Sequence, residues 1–241
     1  MNSRRHQAGS IGARAFVLAC AALMIGATAV VFAGELKGEI ELTGRGSKRA
    51  ALQHGVVWFV SDAAVERPAP YAEPVDMATV RKSFVPRVRA VPVGTTVRFP
   101  NQDPILHNVF SVTPNNSFDL GLYKRGESAS YTFEHPGVVR VFCNVHHGMI
   151  AYVVAVDTPY YAQLDRDGIF HLTELPEGPG TLTIWHERTG LSEHAVTVPA
   201  AAAAAARTFT LEVSLPPLPP HRNKFGKPYA RGRAKRYGGS P

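Results

Sequence analysis

Short apolar runs alternate with turn-forming residues along this chain, and no long segment repeats its apolar positions at helical spacing. Glu39-Ile40-Glu41-Leu42 and Val56-Val57-Trp58-Phe59-Val60 have the composition of strands. Val91-Pro92-Val93-Gly94-Thr95-Thr96-Val97-Arg98-Phe99 reads as a turn followed by a strand. From Val138 to Cys143 the side chains alternate. Val139, Val141 and Cys143 are therefore expected on one face, with Val138, Arg140 and Phe142 on the other. Val153-Val154-Ala155-Val156 closes this first unit. A second unit is predicted from Gly168-Ile169-Phe170-His171-Leu172, Leu182-Thr183-Ile184-Trp185 and Phe209-Thr210-Leu211-Glu212-Val213. Asp165-Arg166-Asp167-Gly168 has the chemistry of the turn that opens it.

Strands of this length, punctuated by Gly, Pro, Asn and Asp, predict an all-β protein made of sandwiches. The expected division is a first domain over 34–157 and a smaller β-sandwich over 158–215, parted near Thr158-Pro159. The first domain includes the N-terminal strands and a long, Pro-rich surface loop at 61–80. The strands between Glu39 and Phe59 suit either unit, and the pattern alone leaves that open. Ala200 to Ala206 is too short a run to hold a helix by itself and reads as a connector.

Both ends differ from this body. Arg4, Arg5 and Arg14 precede an apolar stretch from Ala15 to Ala33 that ends in small residues, the layout of an export signal over 1–33. Its length also approaches a membrane span, so a retained anchor is the alternative reading. Export predicts a periplasmic location. Residues 216–241 open with Pro216-Pro217-Leu218-Pro219-Pro220 and contain seven Lys or Arg and no acid. Such a tail cannot bury a core and is expected to lack fixed structure. It suits weak contact with anionic surfaces.

The formal charge of +7 therefore misleads. Without the three Arg of the signal and the seven basic residues of the tail, the body holds 16 basic against 19 acidic residues. A body with a net charge of −3 is not built to bind nucleic acid.

Cysteine usage narrows the chemistry. Cys20 lies in the signal, which leaves Cys143 as the lone thiol of an exported chain, without a disulfide partner. In an oxidising compartment such a thiol is a liability unless something occupies it. Around it runs Phe142-Cys143-Asn144-Val145-His146-His147-Gly148-Met149, with thiolate, imidazole and thioether at three-residue steps just past a strand. Soft sulfur ligands with imidazole suit copper, whereas zinc has little use for Met. A blue-copper site needs one more imidazole. The best supplier is His107, in the turn-to-strand segment Asn101-Gln102-Asp103-Pro104-Ile105-Leu106-His107-Asn108. His147 reads as an exposed neighbour. Trp185-His186-Glu187 reads as a core Trp with polar neighbours that point outward.

These residues carry a resemblance. Phe84-Val85-Pro86, Val93 to Val97, Asn101 and His107-Asn108 resemble the approach to the first copper histidine of the cupredoxins. Pro136-Gly137 with Val141-Phe142-Cys143 is similar to the strand that delivers their cysteine. The loop from Cys143 to Met149 resembles that of the amicyanin and plastocyanin branch. The resemblance spans Phe84 to Val156. It implies a Greek-key β-sandwich with one type 1 copper ion, strong ligands His107, Cys143 and His146, and Met149 as weak axial ligand. It also implies a hydrogen bond from the Asn108 amide to the cysteine sulfur and an electron port at His146. Pro104, Ile105, Leu106 and Ile150 are candidates for an apolar rim around that port, with core packing the alternative for Ile105. Gly168 to Trp185 weakly resembles a transthyretin-like or carboxypeptidase-regulatory module.

The function this implies is single-electron transfer between redox protein partners rather than catalysis. Phe142 and Asn144 flank Cys143, where coupled copper enzymes place a histidine that leads to a second centre. A copper carrier without an electron-transfer role is the alternative.

Overall fold

The computed structural model describes residues 32–199, 205–217 and 222–228. The expected signal, apart from its last two residues, lies outside the described residues, as do most of the alanine run and most of the tail. Among the described residues no helix is long and apolar enough to cross a membrane. Strands dominate, in five sheets.

The first sandwich holds the site. Its larger sheet has the order β6 (Val88–Pro92), β12 (Ile150–Val156), β11 (Gly137–Phe142), β8 (His107–Thr113) and β9 (Asn116–Tyr123). Facing it are β10 (Ser128–Thr132), β7 (Thr96–Pro100) and the short β3 (Val75–Asp76). The chain changes sheets after β6, β7, β9 and β10, as Greek-key connections require. A small pair, β4 (Ala78–Val80) and β5 (Ser83–Val85), completes this half. Within the expected loop, Val75-Asp76 pair with β7 as a parallel edge and Ala78–Val80 pair with β5.

The second sandwich answers the question that the pattern left open. β1 (Phe32–Thr43) lies between β14 (Ile169–Pro176) and β17 (Arg207–Glu212). β2 (Gly55–Ser61) lies between β13 (Tyr161–Gln163) and β15 (Gly178–His186), with β16 (Gly190–Val198) at the edge. Both N-terminal strands therefore pair with the C-terminal unit, and the sheets do not divide consecutively at 157.

Three apolar layers explain the residue pattern. Val97, Phe99, Val109, Val139, Val141, Cys143, Val153 and Phe133 fill the first sandwich. Leu36, Ile40, Val57, Phe59, Leu172, Leu182, Ile184 and Leu211 fill the second. Between them, Phe110, Phe142, Tyr152, Val154 and Val156 of one sheet meet Val56 and Trp185 of the other. The β12 run Ile-Ala-Tyr-Val-Val-Ala-Val is buried at every position, so it has no polar alternation to show. The expected faces of β11 hold: Val139, Val141 and Cys143 point into the first core, and Phe142 points into the layer between the sandwiches.

Candidate metal centre

The centre forms where β8 begins and β11 ends. β8 and β11 are neighbours in one sheet, with Phe142 opposite Phe110, so their ends present His107 and Cys143 at the same rim. Both side chains are fully buried. The loop that follows folds back on itself. The Cys143 amide donates to the Met149 carbonyl at 3.3 Å, and the Met149 amide donates to the His146 carbonyl at 2.9 Å. That closure returns His146 to the thiol and buries Met149 in the same core cluster as Cys143.

The three donor atoms converge. Cys143 Sγ lies 3.6 Å from His107 Nδ1 and 3.8 Å from His146 Nδ1. The two rings are 4.9 Å apart and tilted by 53°. A metal bound at about 2.0 Å to nitrogen and about 2.3 Å to sulfur, with trigonal angles, separates such donors by about 3.7 Å. His107, Cys143 and His146 are the one group of three or more such ligands among the described residues whose atoms all lie within 4.8 Å of one another.

Asp103 fixes how His107 is used. Its carboxylate accepts from His107 Nε2 at 2.9 Å, which leaves the Nδ1 lone pair directed at the sulfur. A single thiol proton can satisfy only one imidazole lone pair, so two of them aimed at one sulfur fit a shared cation better. Asp103 also accepts the amides of Arg81 and Lys82, at 2.5 and 2.8 Å. Those two residues form the β4–β5 turn with φ of 49° and 57°, a left-handed conformation that disfavours side chains of their size. Burial works to raise the Asp103 pKa, but the Lys82 amide, the His107 ring and the Arg81 amide outweigh it and hold the carboxyl below its usual range. Asn101 secures the approach, donating to the carbonyls of Ile105 and Tyr123 and accepting from Thr79 and Asp103. Burial, reinforced by the nearby Lys82 ammonium, pushes the His146 pKa down against the pull of Asp103, which favours the neutral imidazole.

Sequence reasoning missed Asp103. The available signal was a carboxylate four residues before a candidate ligand, inside a turn that Asn101 and Pro104 already marked. It also misplaced part of the rim. Leu106 is half exposed and Pro104 is exposed, but Ile150 is buried between the two sandwiches. Val145, next to His146 in the chain, is 48% exposed. His147 is exposed, as expected.

The sequence matches no protein-family model and no curated protein. Among solved structures the chain is similar to a purple cupredoxin from Nitrosopumilus maritimus, at 23% identity over 34% of this chain and 99% of that one, TM-score 0.31. It is also similar to a copper-containing nitrite reductase from Thermus scotoductus, at 30% identity over 39% of this chain and 25% of that one, TM-score 0.34. A reduced amicyanin variant matches at 20% identity over 42% of this chain and 98% of that one, TM-score 0.34. At such overlap the case for the site rests on its own geometry.

Proposed function

We propose that this protein is an exported carrier of single electrons that holds one type 1 copper ion through His107, Cys143, His146 and, more weakly, Met149. The observation that carries the reading is the pair of imidazole nitrogens at 3.6 and 3.8 Å from one buried sulfur, with the far nitrogen of His107 held by Asp103. Copper in a thiolate and imidazole site supplies a one-electron couple.

The residues of the chain supply rigidity and access. Asp103 and Asn101 fix the His107 segment, the sheet fixes Cys143, and two backbone hydrogen bonds close the loop that carries His146. A site that is already shaped changes charge with little rearrangement. His146 is partly exposed, and the exposed Leu106 and Val145, each next to a ligand candidate in the chain, offer apolar surface suited to a redox protein partner. Phe142 and Asn144 stand beside Cys143, where coupled copper enzymes place a histidine that leads to a second centre, and this favours a carrier over an enzyme.

The visible spectrum of the copper-loaded protein tests this reading. An intense thiolate-to-copper band and reversible one-electron reduction are expected. A colourless Cu(II) form, or loss of the ion at each reduction, sinks electron transfer and leaves a copper carrier.

A further inference from the structure

The C-terminal segment returns to the metal centre. Beyond β17 the chain is held at Leu215, whose carbonyl accepts from Arg188 Nε at 2.7 Å, and at Pro217, whose carbonyl accepts from Arg87 Nη2 at 3.1 Å. Residues 222–227 then close a turn of their own. Asn223 Oδ1 accepts the amides of Phe225 and Lys227, the Asn223 amide donates to the Lys227 carbonyl, and Arg222 donates to the Gly226 carbonyl.

Lys224 joins this turn to the rim in two places. Its amide donates to Asn144 Oδ1 at 3.1 Å, on the residue that follows Cys143. Its ammonium donates to Asp119 Oδ2 at 2.6 Å. The other oxygen of Asp119 accepts from Asn108 Nδ2 at 2.7 Å, on the residue that follows His107. One lysine thus contacts the residue after Cys143 directly, from 80 residues away in sequence, and the residue after His107 through Asp119, which is 105 residues away. Among the described residues of the tail, Lys224 is the basic residue paired with a carboxylate.

We propose that Lys224 is a positioning residue for the metal centre: the 222–228 turn is a strap that ties the Cys143–Met149 loop to the β8–β9 edge and slows loss of the bound ion. The docking rests on the contacts alone; its effect on metal rests on the copper reading. Asp119 is the hinge of the arrangement, since it also accepts the Gly121 amide at 3.1 Å and so keeps its place whether or not the lysine is present.

The test compares full-length wild type with Lys224→Glu, Lys224→Arg and Asn144→Ala. In metal-free protein, hydrogen exchange at the residue 224 amide reads docking. Protection is expected in wild type and Lys224→Arg, and its loss in Lys224→Glu and Asn144→Ala. In copper-loaded protein, transfer of Cu(I) to bathocuproine disulfonate reads positioning. Losing one hydrogen bond and one partly exposed ion pair is expected to speed transfer about 3- to 10-fold. Lys224→Arg should stay within about twofold of wild type, because it keeps the cation that meets Asp119.

The glutamate variant separates geometry from charge. Its added negative charge near the ion would, by itself, slow release of a cation. Faster release therefore reports the undocked strap. An unprotected amide in wild type overturns the docking. Lost protection with unchanged or slower copper transfer in Lys224→Glu overturns the positioning role. Failure of the protein to bind copper overturns the positioning role while the amide measurement still decides the docking.

Discussion

His107 and His186 are both fully buried, yet their ring nitrogens are used in different ways. In His186, Nε2 contacts the Ala51 carbonyl at 3.0 Å and Nδ1 accepts the Arg188 amide at 3.2 Å. Both nitrogens are taken by backbone, and burial pushes the pKa of this ring down. Its neighbour Glu187 is taken up as well, between His54 and Arg87. In His107 the far nitrogen is held by Asp103, and the near one meets the Cys143 sulfur rather than backbone. A buried histidine is available as a ligand when its surroundings leave one lone pair pointing towards a second donor. Burial by itself does not decide this, nor does a carboxylate nearby, since both clusters have each.

The largest expected effect separates the two clusters outright. Cys143→Ser should abolish the thiolate-to-copper band and tight copper binding, while the far-ultraviolet circular dichroism stays that of a folded β protein. The His186 cluster, at the other sandwich, should not notice. A Cys143→Ser protein that kept its colour would refute the ligand assignment.

The reverse experiment strikes the second cluster. Glu187 is 9% exposed and joins Arg87, beside the first sandwich, to His54 of the second, at 2.6 and 2.5 Å. Glu187→Gln should cost about 2 kcal/mol of unfolding free energy, because Arg87 loses a buried counter-charge and His54 a charged hydrogen-bond partner. Copper stoichiometry should not change. Burial works to raise the Glu187 pKa, but the His54 hydrogen bond and the Arg87 charge outweigh it and leave it below 4.5. A carboxyl with a lowered folded pKa stabilises fully above its unfolded value and loses that contribution as pH falls through the folded one. Denaturant titrations should therefore show the gap between wild type and Glu187→Gln at neutral pH, and show it closing on acidification below about pH 4.5. A gap that widened in acid would reverse the assignment.

The contrast also explains what was legible beforehand. Cys143, His146 and Met149 sit in one loop, so their spacing is visible along the chain, and the alternation of β11 gives the thiol its face. The all-β class is equally plain, because strands bounded by Gly, Asp and Pro leave a local signature. What depends on distant pairing was not readable. β1 and β2 join the C-terminal strands across more than a hundred residues, and their composition suits either sandwich. Trp185-His186-Glu187 was expected to point its polar members outward, but the end of β15 lies where the two sandwiches meet and all three are buried. Asp103 escaped for the same reason: its importance lies in the Arg81-Lys82 turn, which no glycine or asparagine announces.

A smaller effect probes how His107 is oriented. Asp103→Asn keeps the shape but offers a neutral amide to His107 Nε2 and to the two turn amides. Loss of a carboxylate behind a ligating imidazole typically weakens metal binding by 10- to 100-fold. About tenfold weaker copper binding is expected here, at the low end, because the amide oxygen can still accept a hydrogen bond. Competition with a chelator measures it. Unchanged affinity would mean that His107 is oriented by packing alone, as His186 would be without its backbone contacts.

The finest change leaves the three strong donors intact. Met149 is buried in the first core, so a polar substitution there would confuse packing with ligation. Met149→Leu nearly conserves volume and should cost under about 1.5 kcal/mol of stability. It removes a thioether whose donation favours the oxidised ion over the reduced one, which needs less electron density. Copper should therefore remain bound and coloured, and its reduction potential should rise. Voltammetry on wild type and variant gives the sign. A potential that falls, or does not move, would assign Met149 to the core alone and reduce the centre to the imidazoles of His107 and His146 with the sulfur of Cys143.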